Sequence, residues 1–240
     1  IVRLLSPDLG LIDGIAKGVR SRRKGHEPLE RGLLLEIAVY VKPNRTLHTL
    51  GSHGVIEFYP HIRYDLPKSA MRDAAFETAL KALPPHEPST QAFDCLGSFM
   101  ARLDAAPISE CFPYALWGFY YDLSGLLGFG LDLRACLECG SALTEDNEGV
   151  LVSSRGGVVC SRCMRADSNL RVPATVAAYL RDRSRRSPPV ALPPPELKRI
   201  THLLAAYCRF HVEMEREFTT LPFLDQVFET RVTSSPDSRH

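Results

Sequence analysis

Two C-x-x-C pairs, Cys136 with Cys139 in "CLECG" and Cys160 with Cys163 in "CSRC", restrict the fold of this chain more than any other feature of its sequence. A C-x-x-C knuckle turns two thiolates toward one ion, and a second knuckle after a hairpin-length spacer completes the tetrahedral sulfur shell that zinc accepts. The spacer carries hairpin signals. "GVLVSS" and "VVCS" are short β-prone runs joined by "RGG", where Gly156 and Gly157 can take the positive φ of a tight turn, and Gly140 suits the first knuckle. Cys136, Cys139, Cys160 and Cys163 are therefore expected to hold one structural Zn2+. Two redox pairs are the other reading of the motif. Four thiolates leave zinc no open position, whereas a catalytic zinc keeps one for water, so the function is expected to lie elsewhere.

The rest of the composition limits where. At 240 residues, 45% hydrophobic and 24% charged, the chain can bury a sizeable core in one large domain or a few small ones. No run approaches the roughly 20 apolar residues of a membrane helix, and "IVRLLSPDLG" has none of the marks of a signal peptide. A cytoplasmic protein without a membrane partner is expected. Thiols stay reduced there, so Cys95, Cys111 and Cys208 read as core hydrophobes in helical patterns rather than as disulfide partners.

Hydrophobic patterning divides the chain. "IVRLLS", "GLIDGIAKGV", "GLLLEIAVYV", "TLHTL" and "GVIEFY" are β-prone runs separated by "PDLG", a basic loop, "KPN" and "GSHG". Five strands punctuated in this way suit a small barrel. From about Pro67 the period becomes helical, with Phe93, Leu96, Met100 and Leu103 on one face, and later Leu197, Ile200, Leu204, Tyr207 and His211 on another. Pro195 and Glu196 mark the start of that later helix. Trp117 is expected to anchor the helical core. The fold expected is α+β: a five-stranded oligonucleotide-binding (OB-fold) barrel over 1–63, helices over 64–133, a zinc hairpin over 134–165, further helices over 166–228 and a polar tail over 229–240.

Charge is close to balanced, at +1, but unevenly placed. Between Asp13 and Glu27 there is no acidic residue, while Lys17, Arg20, Arg22, Arg23 and Lys24 follow one another. On an end-of-strand segment Arg20, Arg22 and Lys24 share a side, which is how a phosphate backbone is met along an exposed edge. A solvated loop that only aids solubility is the alternative. A second run, Arg181 to Arg186, ends a helix, where its cations complement the C-terminal dipole. Tyr40, Phe58, Tyr59 and Tyr64 could stack on bases, although aromatics at strand spacing more often enter a core. His48, His53 and His61 read as surface residues rather than ligands.

These segments resemble a known family. "IVRLLSPDLGLIDGIAKGVRSRRK" is similar to the opening of the RecO recombination mediators, and "LLGFGLDLRACLECG…CSRC" to the stretch that leads into their zinc knuckles. Barrel, helices, zinc hairpin and helices follow in the family's order over nearly the whole chain. Arg134 and Ala135 depart from the usual linker, and the family's usual first residues have no counterpart here. The resemblance implies binding of single- and double-stranded DNA without sequence preference and annealing of complementary strands without ATP. It also implies association with RecR and assistance in placing RecA on strands covered by single-stranded DNA-binding protein, in a bacterial cytoplasm at the nucleoid.

The residues agree with a non-enzymatic role. No G-x-x-x-x-G-K-[ST], G-x-S-x-G or H-E-x-x-H motif is present, and annealing requires none. Two rival classes stay open: a zinc-ribbon module that binds only protein, and an enzyme with Cys95, Cys111 or Cys208 as nucleophile, which would need a lowered thiol pKa.

Overall fold

The first two strands are set by a tight turn. Strand β1 (Val2–Ser6) and strand β2 (Gly10–Ala16) pair antiparallel in the register Ser6 to Gly10 through Val2 to Gly14. The Ser6 hydroxyl accepts from the Asp8 and Leu9 amides, a local bond that favours a turn over a continuing strand. Gly10 closes it at φ +68, and a Cβ there would strike the backbone of Glu87. On the exposed face of the pair Arg3 donates twice to the Asp13 carboxylate, which holds that carboxyl below its usual range.

The computed structural model describes residues 1–16, 29–41, 45–144, 148–164, 170–182, 192–212 and 217–233. Strand β3 (Leu34–Tyr40) pairs antiparallel with β4 (Leu47–Glu57), and β4 runs parallel to β2, giving the order β1-β2-β4-β3. The expectation of five strands in a closed barrel is corrected here: among the described residues the sheet has four strands and is not closed. "TLHTL" and "GVIEFY" form one strand, and the "GSHG" between them is no turn. Pairing shifts by one residue there, from Ile37 opposite His53 to Val39 opposite Leu50, so Gly51 and Ser52 are taken up as a bulge. Glycine in a strand interior has this second meaning, a bulge rather than a break.

Helices follow at once. After the short α1 (Pro60–Tyr64), α2 (Leu66–Ala82) starts where the Asp65 carboxylate accepts from the Lys68 amide and Pro67 occupies the first turn. Ser89 caps α3 (Thr90–Ala105) in the same way. The one-turn α4 (Ile108–Cys111) leads to α5 (Tyr114–Leu126), the apolar centre of the molecule. Ala70, Met71, Ala74 and Ala75 of α2 are small or unbranched, and they sit in the same buried cluster as Phe99 and Leu103 of α3 and Trp117, Phe119 and Tyr120 of α5. Lys68 is buried among them. Its ammonium donates to the carbonyls of Asp104 and Ala106, so it satisfies carbonyls left open at the end of α3.

A second sheet interrupts the helices. Strands β5 (Asp132–Cys136), β6 (Gly149–Val152), β7 (Gly157–Cys160) and β8 (Arg171–Val172) take the order β5-β7-β6-β8. Helices α6 (Ala174–Arg181), α7 (Pro194–His211) and α8 (Leu221–Thr233) complete the chain, α8 taking in the first residues of the segment read as a polar tail. Leu133, Leu151 and Val158 of the second sheet join the helical core, as do Ile200, Leu204 and Tyr207 from the predicted stripe of α7. No helix among the described residues is long and apolar enough to cross a membrane.

The start of α8 is held from a distance. Glu77, on α2, accepts from the amides of Thr219 and Thr220, from both hydroxyls, and from the Lys81 ammonium at 2.8 Å. Desolvation works against this carboxylate, but the Lys81 and threonine donors outweigh it and hold the group at about 2. An unfolded glutamate titrates near 4.3. The stabilisation is therefore present above that value and is lost as pH falls toward 2. Glu77→Gln is expected to cost on the order of 1–2 kcal/mol at pH 7, after discounting for solvent screening. It should also flatten the pH dependence of the urea midpoint between about 4.5 and 2. An unchanged acid limb would contradict this.

Candidate metal centre and nucleic-acid surface

Strand ends assemble the cysteine cluster. Cys136 closes β5 and Cys160 closes β7, and the two strands run parallel side by side, which places both buried sulfurs at one edge of the sheet. Each strand then turns through its knuckle: the Gly140 amide donates to the Cys136 carbonyl, and the Cys163 and Met164 amides donate to the Cys160 carbonyl. Cys139 and Cys163 are brought back against the strand ends, on the exposed side. The hairpin that links the knuckles is present as read, but its turn differs. Ser153–Arg155 form one turn of 3-10 helix, and only Gly156 has positive φ. Gly157 is required for space instead, since a Cβ would lie 3.0 Å from the Leu137 side chain and 3.1 Å from the Asp132 carbonyl oxygen.

All four ligand sulfurs lie within 4.8 Å of one another. A tetrahedral ion with zinc–sulfur bonds of about 2.3 Å separates its sulfurs by about 3.8 Å. Cys139 and Cys160 are 3.8 Å apart. The Glu138 and Cys160 amides donate to the Cys136 sulfur at 3.4 and 3.2 Å, the bonds that stabilise a ligating thiolate. The protonation pattern carries the same message. Bonds from Ser141 lower the Cys139 thiol. At Cys160 desolvation disfavours the anion, yet bonds from Cys163 and from the Arg162 amide leave it at about 6. Cys163, donating to the sulfurs of Cys139 and Cys160, is pushed up to about 12. Four crowded thiols do not all ionise without a cation between them, so the donor set fits a metal ion.

The remaining cysteines have a different setting. Burial pushes the Cys208 thiol up to about 12, and it donates to the Tyr120 carbonyl from the core. Cys111 is also buried, and Cys95 is half-buried on α3. A nucleophile needs a shift opposite to that of Cys208.

Lys17, Arg20, Arg22, Arg23 and Lys24, the expected phosphate contacts, lie outside the described residues, as do Arg183, Arg185 and Arg186. Arg181 is described: it ends α6 and donates to the Arg134 carbonyl at 3.4 Å, beside the Arg134–Asp132 ion pair. Of the aromatics expected mainly in a core, only Tyr59 is buried; Tyr40, Phe58 and Tyr64 are exposed. Their exposure was hidden because the sheet's outer face and α1 were not separable by period alone. Conversely His48, read as a surface residue in a turn, is buried in β4 against the ring of His86. Trp117 is fully buried, as expected.

Comparison with known proteins accounts for this arrangement. The family model described as Recombination protein O C terminal matches residues 63–217. The DNA repair protein RecO of Anaeromyxobacter dehalogenans (strain 2CP-C) is 31% identical over 237 residues, covering 95% of this chain and 89% of the relative. Its counterpart in Anaeromyxobacter sp. (strain Fw109-5) is 29% identical over 235 residues, with 95% and 89% covered. That of Geobacter metallireducens is 28% identical over 228 residues, covering 95% of this chain and 90% of its own length. With a matching family model over most of its length and relatives aligned almost end to end, the chain belongs to the RecO family of DNA repair and recombination proteins.

Proposed function

We propose that the protein is a recombination mediator that binds single- and double-stranded DNA without sequence preference and anneals complementary strands without ATP. In this reading it acts with RecR to help load RecA on strands covered by single-stranded DNA-binding protein. The observation that carries it is the near end-to-end similarity to proteins described as DNA repair protein RecO, joined to a chain whose densest cationic run, Lys17 to Lys24, has no acidic residue within it. The first unit, an open four-stranded sheet among the described residues in which β3 intervenes in sequence between the parallel neighbours β2 and β4, is read as the oligonucleotide-binding part of the chain. The metal is read as a single zinc ion, held by Cys136, Cys139, Cys160 and Cys163, with a structural role.

Annealing of complementary oligonucleotides with no nucleotide present tests the activity. Counterion release tests the surface. Five phosphate contacts on a single strand predict a slope of about −3.5 for log affinity against log salt, from about −0.7 per contact. Charge reversal by Arg20→Glu with Arg22→Glu is expected to change that slope by about 1 to 2 and to weaken binding alike for every sequence. Annealing should fall in parallel. A double variant that binds and anneals as the parent does would remove this run from the DNA surface.

A further inference from the structure

Where β4 ends, the backbone does something unusual. Tyr59 adopts φ 49 and ψ 63, a left-handed conformation rare for a bulky residue and one that persists only where the surroundings impose it. The Glu57 carboxylate accepts from the amides of Phe58 and Tyr59, at 2.9 and 3.3 Å, and secures the turn. Tyr59 is thereby directed into the core while its neighbour Phe58 stays 41% exposed. Helix α1 follows, and its last residue, Tyr64, is 80% exposed. That short helix is anchored: the Ile62 amide donates to the Asp104 carboxylate, and the Ser69 hydroxyl donates to the Ile62 carbonyl.

Between the two rings lies a guanidinium. Arg63 is 5.0 Å from the centre of the Phe58 ring and 5.9 Å from that of Tyr64, and Glu30 holds it through a two-pronged ion pair. Its charge is thus met by a carboxylate, while its plane remains fixed beside two aromatic faces. A cleft of about 270 Å³ opens alongside, bordered by Arg31, Arg63 and Arg72. Arg31 pairs with Asp73 at 3.1 Å, yet its side chain is 67% exposed and open to a further anion.

We propose that Phe58, Arg63 and Tyr64 form a stacking platform for the unpaired bases of a single DNA strand, with Arg31 contacting a phosphate at the cleft beside it. This deepens the DNA-binding reading above and rests on it. Three features favour that occupant. Aromatic and guanidinium planes accept any base face, as sequence-independent binding requires. The cations beside them suit a polyanion. In the sequence the basic run ends at Lys24, only six residues before Glu30, the residue that holds Arg63. A duplex presents no free base faces and cannot use the platform.

The test is fluorescence anisotropy with an oligo-dT strand and a duplex of equal length, using the full chain, Phe58→Ala, Tyr64→Ala, the double variant, and Phe58→Tyr with Tyr64→Phe. The double variant is expected to bind the single strand about tenfold more weakly, with its salt slope unchanged and duplex affinity within about twofold. The aromatic exchanges should retain binding. Tyr64→Ala alone keeps the test readable if loss of Phe58 loosens the turn, because so exposed a ring contributes little to folding. Parental single-strand affinity in the double variant, with Arg20→Glu and Arg22→Glu still weakening it, would overturn the platform and leave DNA binding standing. Equal loss on strand and duplex would also overturn it. A parent chain that binds neither would end both readings.

Discussion

Replacing Cys136 with serine is expected to reduce bound zinc from one ion per chain to none and to lower the thermal midpoint by about 10 °C or more. The size of the effect follows from how little else holds that edge of the sheet. Its own apolar cluster consists of Cys136, Val159 and Cys160, with Leu137, Val152 and Met164 packed around them. A cluster of that size does not offset the conformational entropy of two knuckles and a hairpin without a staple. Cys136 is also the sulfur that accepts two backbone amides, so serine loses the metal and mismatches those donors. The damage should reach the helices, because Leu133, Leu151 and Val158 of the same sheet belong to the main core. A loss of several kcal/mol, about 4 or more, is expected on that account, and DNA binding by the N-terminal unit should survive in part. Metal analysis of protein purified under reducing conditions checks it. A parent chain without zinc, or a Cys136→Ser chain that keeps one ion, would refute the assignment.

Trp117→Ala is expected to be the most damaging change in the helical core, at about 3–5 kcal/mol. The ring is fully buried on α5 and meets Tyr114 edge-on at 5.1 Å. Its indole N–H donates to the Thr201 hydroxyl at 2.8 Å, and that hydroxyl donates in turn to the Leu197 carbonyl, a chain that ties α5 to α7. Alanine leaves a cavity and an unanswered hydroxyl in the same place. Trp117→Phe keeps most of the packing and loses mainly the hydrogen bond, about 1 kcal/mol. Urea unfolding followed by far-ultraviolet circular dichroism measures both, since the chain has only 1 Trp and the variants lose its fluorescence. A cost below about 1 kcal/mol for alanine would mean that the site collapses around the missing ring.

The two largest effects differ in how far the sequence disclosed them. The four-cysteine cluster was readable because its information is local: a C-x-x-C spacing fixes knuckle geometry whatever surrounds it, and the β-prone runs between the pairs name the hairpin. Helices were readable for a similar reason. The Pro195 and Glu196 start is a local signal and the Ile200, Leu204, Tyr207 stripe a local period, whereas the Asp65 and Ser89 caps came only with the structure. The partners of Trp117 were not readable, because Thr201 lies 84 residues away and nothing near the tryptophan names it.

Local signals also misled at the "GSHG" stretch. Gly51 and Gly54 look like turn residues, yet the partner strand β3 turns the first of them into part of a bulge and carries β4 straight through. Strand identity depends on the pairing, and pairing is a property of two segments. The amino-acid sequence by itself determined the four-thiol donor set, the helix start at Pro195 and Glu196, the apolar stripe that follows it and the uneven placement of cations. Only the tertiary structure decided which aromatics face solvent, that Glu77 caps a helix 142 residues away, and that Phe58, Arg63 and Tyr64 stand together beside a cleft bordered by three arginines. Exposure and long-range hydrogen bonds are set by what packs against a residue, and that is known only once distant segments have met.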